Sequence, residues 1–373
     1  MMCLAQAGRI AYDTRLVGTK NSGGALAGFA SLLSSKTQNK VVWVYGSGSM
    51  ALRVAFALET VLGISVTHLE FSAENASSHA AYRLVEDVDL RDATVFIGVH
   101  NEFGNSQELI DRLTGLAGAV VPFPTLLREF GEIGFEFSNY MLSSNSAARG
   151  AFARKTLPFR SWFSDARSLE VFDAFVAYVG MLEQRDIGVD GVPANPFGVH
   201  PRAGVVGTFI EAGAFEGGHL GALSPLPTRY IGFEPMTEAF STLSQNIAAL
   251  GLDGLALPIA LGNANGIQPF TEDGTGSALG AGEADGSVLV ARLDDVLAGE
   301  KIDVLRMDIE GAELEALAGA RRTIEADHPV LQIAVYHRPL DLAELLERIA
   351  GFGYQELYLR THRHNFFDTF LYC

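Results

Sequence analysis

Between residues 306 and 317 the chain reads RMDIEGAELEAL, setting Asp308, Glu310, Glu313 and Glu315 where the apolar run IDVL stops and a helix begins. Carboxylates at such a junction can take a proton, receive ligand hydroxyls or hold a cation. Side chains alternate along a strand, so Asp308 and Glu310 are expected to point the same way at the strand's C-terminal edge. Glu310 and Glu313 fall at the first helical turn, where the helix dipole favours each charge by about 0.3–1 kcal/mol. Glu313 and Glu315 therefore read as solvated or capping acids, and Glu310 stands between the two roles. His337, in AVYHRPLD, follows the next strand and should stand at the same edge. An imidazole there could remove the proton of an attacking hydroxyl, cap the next helix or bond to a neighbouring acid. Asp308, Glu310 and His337 could together hold a divalent cation. His362 and His364, in RTHRHN, fall in an expected hairpin, at the surface or at a substrate rim.

A second group of residues suits a nucleoside. Glu211 ends one strand and opens EAGAFEGG, with glycines at 213, 217 and 218. Glycine permits a tight strand-to-helix turn and close approach of a ligand. About 20 residues on, the next strand ends in Glu234 (IGFEP), where a carboxylate can accept both hydroxyls of a ribose. A pyrophosphate site would place no acids beside this turn, because anions collect at a helix N-terminus. The acids here favour a cationic or zwitterionic ligand, and S-adenosyl-L-methionine, with its sulfonium and ammonium, suits them. The bland alternative makes Glu211 and Glu234 polar caps at strand ends. Ser277, in GTGSAL, reads as a loop residue that could line the site.

These residues require strands and helices in alternation. VVWVY, ISVTHLEF, ATVFIGV and AVVPFP read as strands of a first unit, with helices GSMALRVAFALETVLG and SQELIDRLTGLAG between them. A long amphipathic helix, SLEVFDAFVAYVGMLEQRD, and the proline-broken GVPANPFGVHP follow. A second alternation runs from VVGTFIEAG to the final strands YQELYLR and NFFDTFLYC, which lack a helix between them and should pair antiparallel. The expected fold is α/β, two Rossmann-like units in series with mostly parallel sheets. The divisions fall at 1–36 (irregular), 37–144 (first unit), 145–200 (helical connector) and 201–373 (second unit). In the first unit Gly46-x-Gly48-x-x-Ala51 satisfies the loose dinucleotide fingerprint, with Glu70 as the acid near the next strand's end. A nucleotide-type ligand could bind at Gly46 and Gly48, or the glycines serve only the turn of a recognition or dimerisation module.

The second unit also resembles a family. IDVLRMDIEGAELEALAGARRTIEADHPVLQIAVYHRPLDL, with FIEAGAFEGG, YIGFEP, IALGNANG, LDDVL and YQELYLRTHRHNFFDTFLYC, is similar to the FkbM-type methyltransferases. These are S-adenosylmethionine-dependent enzymes with a class I Rossmann-like fold, and the resemblance covers about 200–373. It implies that Glu211, Gly213, Ala214 and Gly217 shape the methionine end of the cofactor site. It implies too that Glu234, followed by Pro235, is the ribose-binding acid and that Asn263 lies at the adenine edge. Glu211 stands where Asp is more usual, and ANPFGVHP departs from the family's aromatic-rich segment.

The balance of the chain narrows the partners. A net charge of −17 over 373 residues argues against binding nucleic-acid backbone. Two cysteines, Cys3 and Cys373, give neither a disulfide framework nor a cysteine metal site and suit a reducing cytoplasm. The start is unlike a signal peptide, and no stretch reads as a membrane span. The expected function is methyl transfer to a hydroxyl of a sugar or another small hydroxylated metabolite, with Asp308, Glu310 or His337 at the reacting groups. A homo-oligomer is compatible with it. Two alternatives stay open: a nicotinamide-dependent oxidoreductase using Gly46–Ala51, and a non-catalytic cofactor-binding assembly protein.

Overall fold

A computed structural model describes residues 42–373 except 64, 77–79, 101–105, 186, 192–198, 200–206, 272–277, 280–285 and 298. The segment 1–36, most of GVPANPFGVHP and Ser277 lie outside the described residues.

The first unit is built on β1 (Val42–Tyr45), α1 (Ser49–Leu62), β2 (Thr67–Glu70), β3 (Tyr82–Leu84) and β4 (Thr94–Ile97). It continues with α2 (Ser106–Thr114), β5 (Ala119–Val121), α3 (Phe123–Glu132) and a two-residue-armed hairpin, β6 (Ser138–Asn139) with β7 (Leu142–Ser143). Its strands pair in parallel in the order β3-β2-β1-β4-β5. Strands β1 and β4 are buried along their whole length, which is why they read as unbroken apolar runs. Several elements were not expected, the β6–β7 hairpin among them. Strand β3 lies in a polar stretch without alternation, and α3 begins inside the run AVVPFP, with Pro124 in its first turn where a missing N–H costs nothing.

Helices α4 (Ser146–Thr156) and α5 (Ala166–Met181) form the layer between the units. Asp165 caps α5 by accepting from the Ser168 N–H at 2.7 Å and pairs with Arg360 at 2.6 Å, fixing the helix against the second sheet. The apolar side chains of α5 join those of both sheets in one continuous hydrophobic cluster.

The second unit comprises β8 (Thr208–Ala212), β9 (Arg229–Phe233), α6 (Thr237–Ala249), β10 (Gly254–Leu257), β11 (Ala260–Leu261), β12 (Gly266–Thr271), β13 (Ala278–Leu279) and β14 (Gly286–Ala291). After these come α7 (Leu293–Val296), β15 (Val304–Met307), α8 (Glu313–Gly319), α9 (Arg321–Asp327), β16 (Val330–Ala334), α10 (Asp341–Gly351), β17 (Tyr358–Thr361) and β18 (Thr369–Tyr372). The main sheet has the order β10-β9-β8-β15-β16-β18-β17, parallel as far as β16, with β18 antiparallel to both neighbours. The architecture is the α/β fold read from the sequence, closed by the antiparallel pair.

Three local features differ from the expectation. The turn after β8 leads to a single 3-10 turn, Leu220–Ala222, and not to an α-helix, because glycines and prolines fill the connection. LALPIAL divides into β10 and β11, and β11 joins a separate sheet, β11-β14-β12-β13. The helix over GAELEALAGARRTIEA is interrupted at Ala320, beside Gly319, which packs on the backbone of Gly262 so closely that a Cβ would collide. No helix of the described residues is long and apolar enough to cross a membrane.

Candidate active site

Parallel strands deliver their C-terminal ends to one edge, and there the side chains gather. Gly213, at φ +75, turns the chain after β8, and a Cβ on it would strike the backbone oxygen of Asp308. The ends of β8 and β15 are thereby brought into direct contact, with the Asp308 N–H bonded to Ala212 O at 3.1 Å.

Glu234 lies one residue past β9 and is 5% exposed. Its carboxylate accepts the Phe215 N–H at 2.9 Å and the Met236 N–H at 2.8 Å, one on each oxygen. Burial pushes its pKa up, and these backbone donors oppose that. Each oxygen keeps a lone pair, so the group is held rigidly and can still receive a diol. Pro235 is half-buried beside it.

Glu211 has a different environment from the one the resemblance implies. It is fully buried, and its oxygens accept from Tyr230 Oη at 2.5 Å, His219 Nε2 at 3.0 Å and Arg306. Burial would raise its pKa, but His219 and Arg306 hold it at about 2. It organises the turn from beneath and has no surface to offer a ligand. Ala214 is buried, and Gly217 packs against Leu243 and Leu220, so both shape the turn from the core side. Asn263 is exposed just past β11, six residues beyond the end of β10, and no described hydrogen bond joins it to the carboxylates. LALPIAL divides into β10 and β11, so Asn263 follows the short β11 and not one continuous third strand.

Asp308, Glu310, Glu313 and His337 do meet. Strand β15 stops at Met307, so a turn, not strand alternation, brings the acids together: Glu310 adopts φ +55 and Gly311 φ +95. His337 Nδ1 lies 3.0 Å from Glu313 Oε1, and its Nε2 lies 3.3 Å from Asp308 Oδ1 and 3.7 Å from Glu310 Oε1. Glu313 is buried, not solvated, where the start of α8 meets His337 beyond the end of β16. Its Oε1 also caps the turn by accepting the Ile309 N–H at 2.9 Å. Glu315 is exposed, as the sequence suggested.

The protonation pattern corrects one expectation. Burial would pull the His337 imidazole down, but Glu313, with Glu310 and Asp308, overcomes it and holds the pKa up at about 10. An imidazolium has no lone pair to take a hydroxyl proton, so His337 is not the base at neutral pH. Burial pushes Glu310 up to about 7, against the pull of His337, while its side chain keeps 23% exposure. Burial raises Asp308 as well.

Among the described residues the three-residue group with metal-ligand spacing is Glu313, His337 and Asp341, not Asp308, Glu310 and His337. Asp341 already accepts from the Arg338 N–H at 2.6 Å and from Arg338 Nε at 2.9 Å. Glu313 with His337 and Asp341 with Arg338 make two ion pairs, so this quartet balances its own charge.

Sequence reasoning missed Tyr336 and Asp368. The Tyr336 hydroxyl lies 3.2 Å from Asp308 Oδ1 and 3.2 Å from Asp368 Oδ1, joining the β17–β18 turn to the edge. A tyrosine beside a strand-end histidine was the available signal. His362 is buried and bonded to Tyr372 Oη at 2.9 Å, so it is neither at the surface nor at a substrate rim; His364 is half-buried in the turn.

In the first unit the fingerprint residues form the turn from β1 to α1. A Cβ on Gly46 would meet Val99 and Ala51, and Ala51 is buried under Gly98. Gly48 precedes α1 in an extended conformation. Glu70 accepts from Ser47 Oγ at 2.7 Å.

Residues 226–356 match the Methyltransferase FkbM domain. The crystal structure of methyltransferase FkbM from Methylobacillus flagellatus KT superposes with a TM-score of 0.65 at 18% identity, over 94% of this chain and 97% of that one. It therefore shares the fold across both units. A putative rRNA methylase from Clostridium thermocellum (12% identity, 46% of this chain and 88% of that one, TM-score 0.29) is too distant in shape to carry an argument. None of the curated proteins compared with the chain matches it. Motif order, sheet topology and the domain match agree that the C-terminal unit carries a Methyltransferase FkbM domain over residues 226–356.

Proposed function

We propose that the C-terminal unit transfers a methyl group from S-adenosyl-L-methionine to a hydroxyl oxygen of a sugar or another small hydroxylated metabolite. The observation that carries this reading is Glu234, a buried carboxylate clamped by two backbone N–H groups at the sheet edge, with Asp308 and Glu310 on the same edge. The first suits a ribose diol; the others give the negative field that a sulfonium and an ammonium require.

When bound, S-adenosyl-L-methionine supplies an electrophilic methyl carbon. Glu234 orients the nucleoside, and Asp308 and Glu310 face the reacting groups. Glu310, partly exposed and poised near neutrality, takes the hydroxyl proton as the oxygen attacks. His337 stays protonated between the acids and holds them in place. Positioning supplies most of the remaining acceleration.

Titration calorimetry with S-adenosylhomocysteine on Glu234→Ala tests the assignment. Each charged hydrogen bond lost costs about 1.5–3 kcal/mol, so affinity should fall by roughly 10- to 100-fold or more. Unchanged affinity would remove Glu234 from the site.

A further inference from the structure

The turn after β8 is pinned by hydrogen bonds along its length. The Gly213 and Ala214 N–H groups donate to Phe233 O at 3.0 and 3.2 Å, and the Gly217 N–H returns to Ala214 O at 2.9 Å. The Phe215 N–H donates to Glu234 Oε2 at 2.9 Å, and Asn246 Nδ2 donates to Glu216 O at 2.7 Å. Within this frame Phe215 stands at φ +46, between Gly213 at φ +75 and Gly217 at φ +67. Glycine takes the left-handed conformation without penalty, whereas a bulky side chain there is strained. The hydrogen bonds over-determine the turn and so hold the strain.

Packing does not explain the ring. Phe215 is 39% exposed and lies outside the hydrophobic clusters, and among the described residues no other ring stacks on it. The turn needs the left-handed φ and the N–H, and glycine would supply both. The location of the ring is more telling. With its nitrogen 2.9 Å from Glu234 Oε2, the Phe215 Cα lies within about 4.4 Å of a carboxylate oxygen suited to a ribose hydroxyl. Two residues back, Gly213 packs on the Asp308 backbone oxygen. A nucleoside held at Glu234, with a cationic tail drawn toward Asp308, crosses the turn 213–215 and passes this side chain.

The geometry points to Phe215 as a cofactor-contact residue whose ring face covers the sulfonium of S-adenosyl-L-methionine. This assignment rests on the methyl-transfer reading above and deepens it, because it names a residue that tells the methyl donor from its product. The face of an aromatic ring is its negative side and attracts a cation within about 6 Å of the centroid. The acids of the edge attract cations in general, whereas the ring acts only at contact. S-adenosylhomocysteine, a neutral thioether, offers the same ring an apolar contact and no charge. The strain at φ +46 is then the cost of setting an aromatic face where glycine would otherwise serve.

Titration calorimetry of the full chain with S-adenosyl-L-methionine and with S-adenosylhomocysteine tests it through the ratio of the two affinities. In Phe215→Leu, which keeps an apolar side chain, affinity for S-adenosyl-L-methionine should fall about three- to thirtyfold, the strength of one cation–π contact, and affinity for S-adenosylhomocysteine less than about twofold. Phe215→Tyr should keep the wild-type ratio. Phe215→Gly, which adopts the left-handed φ without strain, should shift the ratio as far as Phe215→Leu and hold the wild-type urea midpoint. A wild-type ratio in Phe215→Leu, or equal losses for the two ligands, would overturn the assignment. A lowered urea midpoint in Phe215→Gly with an unchanged ratio would make the ring a packing residue and overturn it too. If wild type binds neither ligand, the methyl-transfer reading itself falls, which separates the two failures.

Discussion

Nδ1 of His337 lies 3.0 Å from Oε1 of Glu313, and both side chains are almost wholly buried. The pair fixes the charge of the imidazole and so decides which group at the edge can accept a proton. Its folded pKa is raised from 6.5 to about 10, so its stabilisation is complete below about 6.5 and is lost as pH rises through about 10. Urea unfolding of wild type across that window should show the loss, and Glu313→Gln should flatten it while costing about 3–5 kcal/mol at neutral pH. Parallel pH profiles for the two proteins would show that His337 is not held as an imidazolium.

Glu310→Gln should lower the rate of methyl transfer by about 10²- to 10⁴-fold, the usual worth of a positioned general base. Affinity for S-adenosylhomocysteine, which lacks the sulfonium, should change far less than the rate. Because burial holds this carboxyl at about 7, the wild-type rate should climb as pH rises through about 7. A variant with wild-type rate and pH profile would transfer the role elsewhere.

Gly213→Ala would place a methyl group against the Asp308 backbone oxygen at a left-handed φ. Strain alone should cost about 1–3 kcal/mol, and the collision should separate the ends of β8 and β15. Gly218→Ala, with open space at its Cβ, should stay within about 0.5 kcal/mol of wild type. Urea midpoints compare the two; similar values would show that the close approach is not required.

Strand-end carboxylates were legible because position follows from local pattern: Asp308 and Glu234 each close an apolar run at an edge where parallel strands deliver side chains. Their environments were not. Glu313 looked like an ordinary first-turn acid, and only its tertiary contact with His337, past the end of β16, buries it. That contact, between residues 24 positions apart, turns a plausible base into a cation. Glu211 was legible as a strand end, but its partner Arg306 comes from the neighbouring strand, ninety-five positions away. The strand before Asn263 was read as one because nothing in LALPIAL marks the point where the chain leaves one sheet for another. Tyr140 and Phe367 lie on hairpins of opposite units, and their meeting depends on tertiary packing alone.

Direct calorimetry of wild type with S-adenosylhomocysteine and with S-adenosyl-L-methionine, with NADH in a parallel titration, tests the central claim most directly. The expected result is one molecule of either sulfur nucleoside bound per chain and no heat from NADH. Saturation with NADH alone, or no heat from any of the three, would contradict it.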